Sequence, residues 1–119
     1  VRGRRLSTPP LDSGCLPGVT RAIALALARR AGLDVREEPI PATSLGRTDE
    51  ILLTGSIVGI LPVVVLDGRP VGAGRPGPVA TRLAAAWRAH VARSLAADAR
   101  RDEDGRRGGT RGPRTRRRP

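Results

Sequence analysis

The 119-residue chain contains no Phe, no Tyr, no Met and no Lys, and it has one Trp, one Cys and one His. With Trp87 as the sole aromatic, a core must be assembled from Leu, Ile, Val and Ala, which bury less area per residue. A chain this short is also marginal in surface-to-volume terms. It therefore reads as part of a larger protein or as half of an oligomer. Without lysine, no Schiff base can form within the chain. With Cys15 alone, no internal disulfide can form. No His or second Cys lies near Cys15 in sequence, so it is a candidate neither for a nucleophile nor for a metal ligand. The longest apolar run, IVGILPVVVL at 57–66, is too short to span a bilayer and is interrupted by Pro62. No signal-peptide pattern opens the sequence. A soluble cytoplasmic protein is the expectation. The start, VRGRRLSTPP, has no Met and reads as the continuation of a strand, so the expectation is a fragment or a misplaced start.

The net charge of +11 is carried entirely by arginine, with 22 Arg against 11 acids. An Arg-, Ala- and Gly-rich chain without Lys points to a GC-rich genome rather than to a function. Residues 1–96 contribute +6 and residues 97–119 contribute +5, and from Gly105 onward there are seven Arg and no acid. That end, GRRGGTRGPRTRRRP, has nothing with which to build a core. Two regions are therefore expected: a folded portion over 1–97 and a disordered Arg-rich tail over 98–119. No aromatic residue accompanies the tail's arginines to stack on bases, so nucleic-acid binding is not expected of it.

Along the folded portion, 4–8 reads as the end of a strand before a Pro-Pro break. Residues 18–31 read as a helix with Val19, Ile23, Ala26 and Leu27 on one face and Gly32 as its stop. LDVREEPI at 33–40 alternates as a half-buried strand does, with Glu37 and Glu38 as solvated charge. Thr43–Arg47 reads as one short helical turn capped by Thr43 or Ser44. EILLTGS at 50–56 reads as a short buried strand. ILPVVVLDGRPVG reads as two strands turning at Asp67-Gly68. Residues 79–97 form a long Ala-rich helix whose stripe is Val79, Leu83, Ala86 or Trp87, His90, Val91 and Leu95. The fold class is α/β or mixed α+β: short strands packed with two main helices.

Two stretches suit an anion. GCLPGVTRA at 14–22 enters a helix through a Leu-Pro-Gly turn. The first N–H groups of a helix lack intrahelical partners and sit at the positive end of its dipole. A phosphate fits there, with Gly18 allowing close approach and the Thr20 hydroxyl adding a hydrogen bond. An ordinary helix cap has the same pattern. TGS at 54–56 ends a strand in small residues, leaving a concave spot with free N–H groups and a hydroxyl; a plain strand-to-loop turn has that pattern too. One of the two stretches could hold a phosphate, and the other a carboxylate or a further phosphate oxygen. The sequence shows no paired carboxylates, no metal-ligand spacing and no Ser/His/Asp arrangement. No catalytic residue and no metal site are assigned.

LSTPPLDSGCLPGVTRA resembles the segment of class IV aminotransferases, the fold type IV pyridoxal-phosphate enzymes, in which a TPP…LPGxTR stretch enters a helix holding the cofactor phosphate. TDEILLTGSIVGILPVVVLDGRPVGAGRPGPVATRL resembles the family's second segment, and the likeness runs over residues 6–92. It implies pyridoxal 5'-phosphate as cofactor, a small amino substrate and a homodimer in the full-length enzyme, with this chain as a C-terminal portion. It implies that Leu16 packs on the pyridine ring, that Val19 and Thr20 give backbone N–H groups to the phosphate beside Gly18, and that the Thr20 and Ser56 hydroxyls join them. The Ser56–Ile57 backbone would hold a substrate carboxylate. The family's lysine and the glutamate that pairs with the pyridine nitrogen lie upstream of this segment, so the chain alone is expected to be inactive. Branched-chain aminotransferases read Gly-Thr-Ala-x-Glu where this chain has Gly-Ser-Ile-Val-Gly, with Gly59 at the glutamate. The Ser-x-x-Gly-x-x-Pro-Val pattern is more similar to aminodeoxychorismate lyases of folate synthesis, which release pyruvate to leave 4-aminobenzoate. The alternatives are a transaminase for branched-chain or D-amino acids and, from another class, a non-catalytic remnant or Arg-tailed binding protein.

Overall fold

A computed structural model describes residues 1–108. Residues Val1–Arg88 form one compact unit, and the described residues from Ala89 to 108 belong to a second. The chain runs β1 (Arg5–Thr8), α1 (Val19–Arg30), β2 (Asp34–Glu37), a 3-10 segment (Ala42–Arg47), β3 (Ile51–Gly55), β4 (Gly59–Val63), β5 (Val65–Leu66), β6 (Arg69–Pro70) and α2 (Pro78–Gly108). This mixed architecture is the one the sequence predicts.

Strands β1 and β2 pair in parallel, Arg5 opposite Asp34 through Thr8 opposite Glu37. Parallel neighbours need a crossover, and α1 supplies it. The helix ends where Gly32 is placed to stop it: Leu33 N–H bonds to Ala28 O at 3.1 Å and Gly32 N–H to Arg29 O at 3.0 Å, the paired bonds of a Schellman end. Strands β3 and β4 form an antiparallel hairpin, with Gly55 opposite Gly59 and the loop Ser56–Val58 between them. Strands β5 and β6 turn at Asp67 and Gly68, with φ of 50° and 74°. Positive φ at both central residues is what a two-residue hairpin of this twist requires. The expectation of that hairpin holds. The β3–β4 hairpin differs from the sequence expectation, because residues 60–63 pair backward onto β3 rather than forward.

The core of the first unit is Leu6, Ala24, Leu25, Leu27, Ala28, Ile60 and Leu83, with Trp87 among the half-buried residues packed on it. On α1 the buried positions are Thr20, Ala24, Leu27 and Ala28, together with Leu25. Val19 and Ala26, expected inside, face solvent. The buried stripe is thus shifted around the helix, because small Ala24 and Ala28 let it lie close to the sheet. In the 3-10 segment neither Thr43 nor Ser44 caps. Ser44 Oγ instead donates to the Pro41 carbonyl at 2.7 Å. Glu37 and Glu38 are not merely solvated: Arg21 reaches Glu37 at 3.2 Å, and Ser7 Oγ donates to Glu38 at 2.6 Å.

Helix α2 continues to Gly108, past the expected end at 97. The region expected to be disordered is therefore helical over 98–108; residues 109–119 lie outside the described residues. Ala96, Ala97 and Ala99 are strong helix formers, and Asp102 to Arg106 and Glu103 to Arg107 are spaced at i,i+4 with the acid first. All residues from Ala92 to Arg107 are exposed, including Leu95 of the predicted stripe. Among the described residues no helix is long and apolar enough to cross a membrane.

Candidate functional site

The N-terminus of α1 and the end of β3 open onto one cavity of about 610 Å³. Leu16, Gly18, Thr20 and Ser56, four of the residues singled out by sequence, line it, beside Arg21 and Thr54. Val19 and Ile57 do not line it; these residues are 74% and 99% exposed. For Val19 this leaves the backbone, which is the part assigned to the anion.

Gly18 is the N-cap of α1 in an extended conformation, and no side chain caps the helix. The first intrahelical bond runs from Ala22 N–H to Gly18 O at 3.1 Å. The N–H groups of Val19, Thr20 and Arg21 thus precede the hydrogen-bonded ladder and find no acceptor among the described residues. Thr20 is buried on the helix side facing the cavity. Leu16, 84% exposed, stands at the rim.

The sequence reading assigns Arg21 no role. The side chain is only 14% exposed. It donates to the Pro9 carbonyl at 3.0 Å and to Glu37 at 3.2 Å, while its Nε is buried with no acceptor. A buried donor without a partner costs free energy unless something supplies an acceptor. The signal was present in the Thr-Arg pair at the helix start, but its partners Pro9 and Glu37 come from other elements. Cys15 borders the cavity and points its Sγ at the Pro10 carbonyl, 3.3 Å away. No His/Cys/Asp/Glu cluster suited to a metal occurs among the described residues, and the lone His90 sits half-buried on α2.

Gly59, the position where the sequence departs from the branched-chain aminotransferase pattern, is buried with φ of +67°. A Cβ there would overlap Nε1 of Trp87 and lie 2.6 Å from its Cδ1. No L side chain sits in this place without strain and displacement of the indole. Gly59 and Trp87 thus fit one another, the indole filling the space a side chain at 59 would need.

Glu50 is a second residue whose part only the structure reveals. Its side chain, on a residue 7% exposed, accepts the N–H of Val79 at 3.0 Å and of Ala80 at 2.7 Å. It caps α2 from the start of β3, and Gly77 leaves the space it occupies.

The start of the helix of a β-α-β unit and the end of a neighbouring strand thus line one cavity in a mixed α/β fold. The comparisons with known proteins sharpen this. The model of the amino-transferase class IV family matches residues 1–66, more than half of the chain. The branched-chain-amino-acid aminotransferase of Escherichia coli is 43% identical over 87 residues, covering 73% of this chain and 28% of that protein. The solved structure of an Escherichia coli branched-chain amino acid aminotransferase is similar with a TM-score of 0.68 at 42% identity, covering 70% of this chain and 28% of that one. The branched-chain amino acid aminotransferase of Thermobaculum terrenum in its PLP form gives 0.70 at 35% identity, over 74% of this chain and 29% of that one. The chain belongs to the class IV aminotransferase family. It spans less than a third of the length of the relatives it matches. Class IV aminotransferases use pyridoxal phosphate. The residues present here fit the phosphate of that group: three N–H donors at the start of α1, whose first turn lines the cavity, find no acceptor among the described residues.

Proposed function

We propose that the chain is the cofactor-phosphate-binding portion of a pyridoxal-phosphate-dependent transaminase acting on branched-chain amino acids. The observation that carries this reading is the convergence of Leu16, Gly18 and Thr20 with Ser56 on one cavity. The relatives' name supports the transaminase over the aminodeoxychorismate lyase reading.

In this reading the Val19 and Thr20 N–H groups donate to the phosphate, and the Thr20 and Ser56 hydroxyls donate beside them. Several donors and a helix dipole hold a dianion without a direct cationic partner. Leu16 covers one face of the pyridine ring, and its exposure at the rim leaves it available. The Ser56–Ile57 backbone holds the substrate carboxylate. When bound, the cofactor serves as electron sink for the substrate's α-carbon. The chain has no lysine, so the amine that attaches the cofactor comes from elsewhere in the enzyme, which is a homodimer in this proposal.

The test is equilibrium binding of pyridoxal 5'-phosphate to the 119-residue chain. Each hydrogen bond to a charged group is worth ~1.5–3 kcal/mol, so Thr20→Ala and Ser56→Ala should each weaken binding by about tenfold or more. Unchanged affinity in the double variant would rule out the site. In an enzyme restored to the relatives' length, 2-oxo acid formed from leucine, isoleucine or valine supports the transaminase. Pyruvate released from aminodeoxychorismate would instead establish the lyase.

A further inference from the structure

The Ser56–Val58 loop closes between Gly55 and Gly59, and its far anchor is Gly59. Gly59 is held from outside the hairpin by the Trp87 indole, which occupies the space where a side chain would begin. Trp87 comes from α2 and is itself half-buried against the core cluster that includes Leu83. Neither Gly59 nor Trp87 lines the cavity, whereas Ser56 does. Gly59, left-handed at φ +67°, is the first residue after the loop, and its placement sets where the chain re-enters the hairpin and so where the loop residues point. The indole is a rigid wall against that residue, with only two side-chain torsions to relax.

We infer that Trp87 is a positioning residue for the anion site: it seats Gly59 and so fixes the direction in which Ser56 presents its hydroxyl and backbone N–H to the cavity. The inference rests on the phosphate reading proposed above and extends it to a residue outside the cavity. An anion bound at Ser56 is then mechanically coupled to the indole through three loop residues. Because Trp87 is the only tryptophan, its emission reports that coupling with no competing signal.

Two measurements on the full 119-residue chain test this. In the first, inorganic phosphate, which does not absorb in the range of indole emission, is titrated while Trp87 fluorescence is followed and binding is measured independently by competition with pyridoxal phosphate. The expected result is an emission change that saturates with phosphate binding. Phosphate binding with unchanged emission would overturn the inference, and this arm needs no substitution. In the second, Trp87→Ala should weaken pyridoxal phosphate binding by about tenfold, the loss of one aligned hydrogen bond to a charged group. Trp87→Phe, which restores a ring against Gly59, should recover most of that loss. A merely structural role would lower the urea midpoint of both variants and leave the affinity of the folded chain untouched. If Thr20→Ala and Ser56→Ala weaken binding while Trp87→Ala does not, the phosphate reading stands and the inference fails. If Thr20→Ala and Ser56→Ala leave binding unchanged, the phosphate reading fails and takes the inference with it.

Discussion

Glu50 shows what a single residue does in this chain. Its buried carboxylate takes two N–H groups of the first turn of α2, contacts made far along the chain from its own strand. Hydrogen bonds to a charge are worth ~1.5–3 kcal/mol, and loss of a cap ~0.5–2 kcal/mol. Glu50→Ala is therefore expected to destabilise the fold by about 2–3 kcal/mol, with Glu50→Gln, which keeps one acceptor oxygen, losing less. Urea unfolding measures both, and a Glu50→Ala midpoint equal to the parent's would refute the cap. Little of this is legible in sequence. Gly18-Val19-Thr20 and Thr54-Gly55-Ser56 can be read locally, because turn chemistry and helix starts are properties of neighbours in the chain. Glu50, Arg21 and the Gly59–Trp87 pair cannot, because each is defined by a partner that folding brings from another element.

At the scale of elements, the β-α-β unit and the Asp67-Gly68 hairpin are legible because each is punctuated by Gly, Pro or Asp at the required places. The β3–β4 pairing is not. The apolar run 60–66 fits a strand in either direction, and it turns back on β3 at Gly59, where φ is +67°. At the start of the parallel β1–β2 pair, Arg5 Nε crosses from β1 to Asp34 at 3.2 Å, while Arg36 Nε, on the same strand as Asp34, bonds to Asp34 at 2.8 Å. The Arg36 hydrogen bond chiefly, and Arg5 with it, holds the Asp34 carboxyl below its ordinary value of 3.8. A carboxyl whose folded pKa is depressed contributes stability above its unfolded pKa and loses it as pH falls through the folded value. Asp34→Asn should thus flatten the acid limb of the stability profile below about pH 4 and leave its neutral-to-alkaline slope unchanged. A variant with the parent's acid limb would show that the pair contributes nothing. The effect is small because the carboxylate is solvent-exposed. Packing dominates instead: Leu83, 1% exposed, anchors the start of α2, and Leu83→Ala should cost ~2–5 kcal/mol in denaturant unfolding. A loss well under 1 kcal/mol would mean that this part of α2 is not packed as described.

The whole molecule divides its arginines by what surrounds them. Arg21 is enclosed at the cavity, whereas Arg93, Arg100, Arg101, Arg106 and Arg107 stand exposed on the last turns of α2. A helix that is polar all round has no apolar stripe to bury and depends on side-chain pairs and propensity. Pairs of the Asp102–Arg106 kind add only ~0.2–0.5 kcal/mol each and weaken with salt. The residues from Ala92 onward should therefore melt separately from the cooperative unit Val1–Arg88. Ellipticity at the helix band should fall gradually as salt rises, while the urea midpoint reported by Trp87 stays in place. Deleting 98–119 should remove part of that ellipticity and shift the Trp87 midpoint by less than the ~1 kcal/mol typical of a packed-residue substitution. A loss of several kcal/mol on deletion would show that the charged end is fastened to the core. Salt-insensitive ellipticity would show that tertiary packing, not ion pairing, holds the last turns of α2.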